Sequence, residues 1–150
     1  MKIADFLDQK SIIAHLESRT KEDVLAEMAR RIAAVQELDG ETVRKVLADR
    51  ERLGSTGIGD GVAIPHGRMA ALTHLVALLA RSVEGIDFGA IDGKPTHLFF
   101  VLLTPDNNVG LQALARVSRL LRRSRCREAL MNAADEPGLY RAVLDQDAQL

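Results

Sequence analysis

Apolar positions change their period twice along this chain. Val24, Leu25, Met28, Ile32 and Val35 recur every three or four residues, which lays a stripe along one side of an α-helix, and Thr20 with Asp23 supplies a capping pair ahead of them. The spacing predicts a helix over 21–38. Asp39-Gly40 breaks it, and Val43, Val46, Leu47 and Leu53 mark a second helix that stops at Gly54, a residue suited to a left-handed end. The period then changes. "HLVALLARS" and "THLFFVLLT" are unbroken apolar runs rich in branched or aromatic residues and bounded by turn formers, the pattern of strands buried on both faces. Between them "VEGIDFGAIDGKP" is turn-rich, with room for a short strand over 86–88. From Val109 onward Leu111, Leu114, Val117, Leu120 and Leu121 return to helical spacing, and a last helix is expected near Gly138 to Leu144.

Helices, then strands, then helices predict an α/β fold in which helices cover both faces of a central sheet. No internal repeat, low-complexity tract or long linker divides the chain, and 150 residues suit one domain over 1–150. Strand order is not legible in this pattern. Composition narrows the classes further: with 47% apolar and 27% charged residues the chain is neither disordered nor membrane-embedded. Twenty basic against 21 acidic side chains leave no overall positive field to draw in nucleic acid or an anionic membrane. A single cysteine, Cys126, excludes an internal disulfide and a cysteine zinc cluster, which suits a reducing compartment. The N-terminus lacks the apolar run of a secretory signal and no run is long enough to cross a membrane, so a cytoplasmic location is expected.

The stretch "GSTGIGDGVAIPHGRM", residues 54–69, places five glycines, one proline and one histidine in sixteen positions. Glycine-rich loops often turn amide N–H groups toward an anion. Two nucleotide signatures fail here: no Gly-Lys-Ser/Thr follows, and Gly57-Ile-Gly59-Asp-Gly61 is not G-x-G-x-x-G. The G-x-S-x-G elbow of serine hydrolases is also missing. Pro65 pins its own φ and pushes Ile64 into extended backbone, so "VAIPH" reads as a strand that delivers the His66 imidazole at its end. A neutral imidazole is a competent nucleophile toward a phosphoryl group, and the Ser55 and Thr56 hydroxyls stand nearby as donors. On spacing alone a turn histidine with a structural hydrogen bond fits as well.

The longer segment "RERLGSTGIGDGVAIPHG", Arg50 to Gly67, resembles the active-site segment of the enzyme IIA domains of the bacterial phosphoenolpyruvate phosphotransferase system, fructose/mannitol class, and especially their nitrogen-regulatory branch. The similarity extends through "FGAIDGKPTHLFFVLLTP" to nearly the whole chain. The resemblance implies a mixed β-sheet flanked by helices and a phosphocarrier with no cofactor and no turnover chemistry of its own. It also implies that His66 is phosphorylated on Nε2 by a phosphorylated HPr-like carrier, fed indirectly by enzyme I and phosphoenolpyruvate. Arg50 falls on a family arginine whose guanidinium pairs with phosphoryl oxygens. Gly54, Ser55, Thr56, Gly57 and Gly59 fall on the loop around that site. Regulatory targets in this branch include potassium-transport and sensor-kinase proteins.

One family position departs from the pattern. A second active-site histidine normally sits in an H-L-x-x-L segment opening the helix after the "LLxP" strand end, and here "NNVGLQAL" puts Gly110 in its place. Phosphorylation of His66 is expected to survive at an altered rate, with Asn107 or Asn108 offering a hydrogen bond from the same loop, and Gly110→His is expected to quicken transfer. An interaction module with impaired phosphotransfer and a fructose/mannitol-type sugar-transport component stay open as alternatives. His15, His74 and His97 read as structural or surface residues, and no His pair has the spacing of a helical metal site, so no metal is expected. Six arginines over 116–127 interleave with Val117, Leu120 and Leu121, reading as a solvated helix face, with a docking patch for an acidic partner as the alternative. Nucleic-acid binding and membrane insertion are not expected.

Overall fold

A computed structural model describes all 150 residues. After a short 3-10 turn at Ile3–Asp5, the chain forms β1 (Ile12–Ile13), α1 (Lys21–Gln36), α2 (Gly40–Arg52), β2 (Gly57–Gly59), β3 (Val62–Ala63) and β4 (His66–Arg68). The long strands β5 (Val76–Ile86) and β6 (Thr96–Thr104) follow, then α3 (Asn107–Leu121), α4 (Ser124–Asn132) and α5 (Glu136–Ala148). One mixed sheet runs in the order β1-β5-β6-β3-β2, with β4 also on β6. β5 and β6 are antiparallel, whereas β3 and β4 are parallel to β6 and β1 is parallel to β5. No helix is long and apolar enough to cross a membrane.

The unbroken apolar runs arise because the sheet is buried twice. Leu98, Phe100 and Leu102 of β6 face a core completed by α3, α4 and α5, while Phe99, Val101 and Leu103 face α1 and α2. Alternation along the strand therefore assigns residues to one helix layer or the other, and both layers are apolar. On the α1–α2 side Phe88 meets Phe99 edge-to-face with ring centroids 5.2 Å apart, a geometry worth about 1 kcal/mol beyond simple burial. On the opposite side Arg81 is buried, donating to the carbonyls of Ala14, Leu130 and Ala133 and so tying β5 to the end of α4. Burial holds its pKa below the ordinary arginine value, and carbonyl dipoles rather than a carboxylate surround the charge.

The caps follow the expected chemistry. Thr20 accepts from Asp23 N–H at the start of α1, and Asp39, Asp106 and Asp135 do the same for α2, α3 and α5. Four boundaries differ from the sequence expectation. α1 stops at Gln36 because Glu37 turns left-handed, with φ of 57°. No separate strand forms over 86–88: β5 continues past an irregularity between Arg81 and Ile86 and ends at Ile86, and residues 87–88 lie outside the sheet. The last helix is longer on both sides than Gly138–Leu144. The arginine-rich segment is two helices, since Arg123 becomes extended with ψ of 122° and interrupts what the apolar spacing presented as one.

Candidate functional site

β3 and β4 are a single interrupted strand. Val62 pairs with Leu98 and Ala63 with Phe99, and after two residues the same offset resumes with His66 on Leu102, Gly67 on Leu103 and Arg68 on Thr104. Ile64 and Pro65 fill the gap, where proline has no N–H to contribute to a ladder. The Pro65 carbonyl still accepts from Leu102 N–H at 2.9 Å, which keeps the strand on β6. β2 pairs with β3 but not with β4, leaving residues 66–68 on an open edge. His66 is therefore not the end of a strand, as the sequence suggested, but the first residue of its resumed half.

Alternation now sets directions. Val62 and Ile64 belong to the core under α3–α5, so His66 and Arg68, two and four residues further on, share that face. Gly67 points the other way, toward α2, where an added Cβ would run into Val46 Cγ1. Glycine is required there because α2 packs directly on the strand carrying the imidazole. His66 and Arg68 line a cleft of about 380 Å³, with Leu102 and Thr104 of β6 beneath, Gly110 and Leu111 of α3 on one side and Arg50 of α2 on another. Asn107 and Leu114 complete it, and no carboxylate lines it.

The half-buried His66 has one internal partner: Nδ1 lies 2.8 Å from the Ile64 carbonyl oxygen. A carbonyl only accepts, so Nδ1 carries the proton and the ring lone pair sits on Nε2. Arg50 donates from Nη1 to the Gly54 carbonyl at 3.0 Å, which anchors its guanidinium across the mouth of the loop. A ring nitrogen in a cleft that two arginines and no carboxylate also line is suited to meet a group carrying negative oxygens.

The remaining sequence-selected residues occupy a separate place. Ser55 Oγ donates to the Phe88 carbonyl at 2.8 Å and accepts from Gly57 N–H. Thr56 donates from both N–H and Oγ1 to Glu51, a buried carboxylate that also meets Lys21 Nζ at 2.9 Å. Neither hydroxyl lines the His66 cleft, and each is already engaged. Gly54, with φ of 148°, turns the chain off α2, while Gly57 and Gly59 on β2 lie against Ala90, Ile91 and Asp92. Gly110 does sit on the cleft, for a steric reason: a Cβ there would come within 2.7 Å of Thr104 Cγ2 and 3.2 Å of Thr104 Cβ. Any side chain at position 110 must therefore displace the Thr104 side chain, a steric cost that the expectation of a quicker Gly110→His did not include.

Arg68 and Thr104 are the site residues that sequence reasoning missed. Arg68 was signalled only by its spacing from His66, two positions along a strand whose continuation past proline was not expected. The other histidines are elsewhere: His15 and His74 are exposed, and His97 Nδ1 bonds the Ser82 carbonyl at 2.9 Å. Cys126 is fully buried, and burial pushes its thiol up to about 11, the state of a packing residue. In the arginine-rich segment Val117, Leu120 and Leu121 are buried while Arg119, Arg122 and Arg125 are exposed, and Arg116 pairs with Asp147 at 2.8 Å.

Comparison with known proteins places this geometry. Residues 5–146 match the family model described as "Phosphoenolpyruvate-dependent sugar phosphotransferase system, EIIA 2". The chain belongs to this EIIA 2 family. Among its EIIA relatives is a nitrogen regulatory protein of Bradyrhizobium diazoefficiens, 37% identical over 142 residues that cover 93% of each chain. The crystal structure of the nitrogen regulatory protein IIA-Ntr from Neisseria meningitidis superimposes with a TM-score of 0.84 at 33% identity, covering 94% of this chain and 98% of that one. A fructose-specific EIIABC component of Bacillus subtilis is 35% identical over 98% of this chain, which spans 24% of that larger protein. The mixed sheet between two helix layers is the EIIA fold, as the resemblance implied.

Proposed function

We propose that this chain is a regulatory phosphocarrier of the nitrogen-related phosphotransferase branch, with His66 as the residue that accepts the phosphoryl group. The observation that carries the reading is the 2.8 Å bond from His66 Nδ1–H to the Ile64 carbonyl, which leaves the Nε2 lone pair free in a cleft flanked by Arg50 and Arg68. The donor is a phosphohistidine on an HPr-like carrier, itself charged through enzyme I from phosphoenolpyruvate. His66 Nε2 attacks phosphorus, the P–N bond to the donor ring breaks, and its electron pair returns to that ring, which is protonated on its other nitrogen and so departs as neutral imidazole. The His66 ring takes up the positive charge as the new bond forms. Nδ1 keeps its proton throughout, held by the Ile64 carbonyl, so transfer between two imidazoles needs no separate acid or base.

Arg50 approaches from the α2 side and offers its remaining N–H groups to the phosphoryl oxygens. The loop at Gly54, Ser55, Thr56, Gly57 and Gly59 supports the site by holding α2, β2 and the Phe88 turn together, not through its hydroxyls. Phosphorylation adds nearly two negative charges to one open sheet edge, which changes what can dock there. The chain acts in the cytoplasm on protein targets such as potassium-transport or sensor-kinase proteins. Near-complete mutual coverage with nitrogen regulatory proteins supports this branch. The fructose-specific relative at 35% identity favours a second reading, a sugar-transport EIIA component.

The test is intact-mass spectrometry at mildly alkaline pH after incubation with phosphoenolpyruvate, enzyme I and the HPr-like carrier. Wild type is expected to gain one acid-labile phosphoryl group and His66→Ala none. Full phosphorylation of His66→Ala, or none of wild type by an active carrier, would overturn the assignment, the latter leaving an interaction module.

A further inference from the structure

We infer that Arg68 is a second phosphoryl-binding guanidinium of this site, working from the side of the cleft that Gly110 leaves bare. The inference rests on His66 being the phosphoryl acceptor and adds a residue that no motif in the sequence assigned. Its basis is the register of β4. The paired positions His66–Leu102 and Arg68–Thr104 place both side chains on the same face of one short strand, about 7 Å apart along it. Both line the same cleft.

Which donors in that cleft are free decides the argument. Thr104 Oγ1 donates to the Asp106 carbonyl at 2.6 Å, so its proton is engaged. Gly110 has no side chain, and a larger residue there would have to displace Thr104, whose Cγ2 lies 2.7 Å from an added Cβ. Arg50 has one of its nitrogens on the Gly54 carbonyl. Asn107 offers a neutral amide. Arg68, by contrast, is exposed and forms neither an ion pair within 4.0 Å nor a side-chain hydrogen bond, although most of the other cations near this part of the fold are paired: Arg44 with Glu41, Lys45 and Arg52 with Asp49, Lys21 with Glu51. An unpaired guanidinium beside the acceptor nitrogen, in a cleft without carboxylates, meets a dianionic phosphoryl group with a planar fork of donors matched to two of its oxygens. Arg50 from α2 and Arg68 from β4 then both bind that group, and the charge that a second histidine would bring arrives on the strand rather than on α3.

Phosphoramidate separates this role from protein docking. As the zwitterion it transfers its phosphoryl group to His66 Nε2 with cleavage of its own P–N bond and release of ammonia, while the His66 ring becomes cationic with its Nδ1 proton retained. The full-length protein and the variants Arg68→Lys, Arg68→Gln and Arg68→Glu are incubated with phosphoramidate, and separately with the carrier chain, and phosphorylation is followed by intact mass with His66→Ala as the blank. Loss of a charge-assisted contact predicts that Arg68→Gln is roughly tenfold slower with both donors, that Arg68→Glu is slower still, and that Arg68→Lys keeps most of the rate. Arg68→Gln reacting with phosphoramidate at the wild-type rate overturns the inference. So does a defect confined to the protein donor, which would make Arg68 a docking residue. Because phosphoramidate needs no carrier, failure of the carrier reading leaves the ratio of Arg68→Gln to wild type decisive.

Discussion

Two parts of one short stretch, residues 54–61 and 64–68, were read from the sequence as one site and behave differently in the structure. The first half holds most of the glycines and both hydroxyls, yet those hydroxyls are engaged within the fold: Ser55 on the Phe88 carbonyl and buried Thr56 on buried Glu51, which also meets Lys21. The second half holds one imidazole and one guanidinium. It satisfies only what is needed to orient the ring, the Nδ1–Ile64 bond, and leaves Nε2 and Arg68 open to the cleft. Glycine richness therefore marked close packing and turning of the chain rather than an anion cradle. The groups to which the proposed function assigns chemistry are those that folding left unpartnered.

The difference can be broken from either side. The largest effect should follow Glu51→Ala, which strands the buried Thr56 N–H and hydroxyl and removes the ion pair of Lys21 at once. A loss of about 3 kcal/mol is expected in urea unfolding, since two buried Thr56 donors lose their charged acceptor. His66→Ala in the same assay should stay near wild type. A loss under 1 kcal/mol for Glu51→Ala would mean that the first half is no more committed to the fold than the second.

Next in size is Gly110→His, expected to lose about 2 kcal/mol by overpacking against Thr104 and to gain nothing in phosphorylation rate. Thr104→Ala removes the methyl that a Cβ at position 110 would strike, so the double variant should recover most of that stability. Equal losses in the single and double variants would show that Thr104 is not what excludes a side chain there.

Ser55→Ala gives the smallest and most discriminating change. It should lose about 1 kcal/mol with the hydrogen bond to the Phe88 carbonyl while leaving the phosphorylation rate of His66 unchanged. A slower rate at unchanged stability would move Ser55 back to the role that its sequence position suggested.

Much of the frame was legible because periodicity reports burial. The helical stripe of α1 and the doubly buried runs of β5 and β6 follow directly from apolar spacing, and His66 stood out because Pro65 and the flanking glycines isolate it. What was missed depended on tertiary partners. Glu51 reads as one more charge in a polar helix end, and its burial is visible only once Thr56 and Lys21 close on it. Arg68 was hidden because a proline normally ends a strand, whereas here β6 carries the ladder across the gap. The break between α3 and α4 at Arg123 has neither glycine nor proline to announce it. Gly110 was recognised as a missing histidine, but the reason for glycine lay on another strand, at Thr104.

The account stands most directly on the protonation state of one ring. Long-range proton–nitrogen NMR of nitrogen-15-labelled histidine, at mildly alkaline pH before and after phosphorylation, reads it at each nitrogen. The prediction is that unmodified His66 carries its proton on Nδ1 and that the phosphoryl group appears on Nε2. A ring protonated on Nε2, or a phosphoryl group on Nδ1, would contradict the role given to the Ile64 carbonyl and with it the orientation of the whole site.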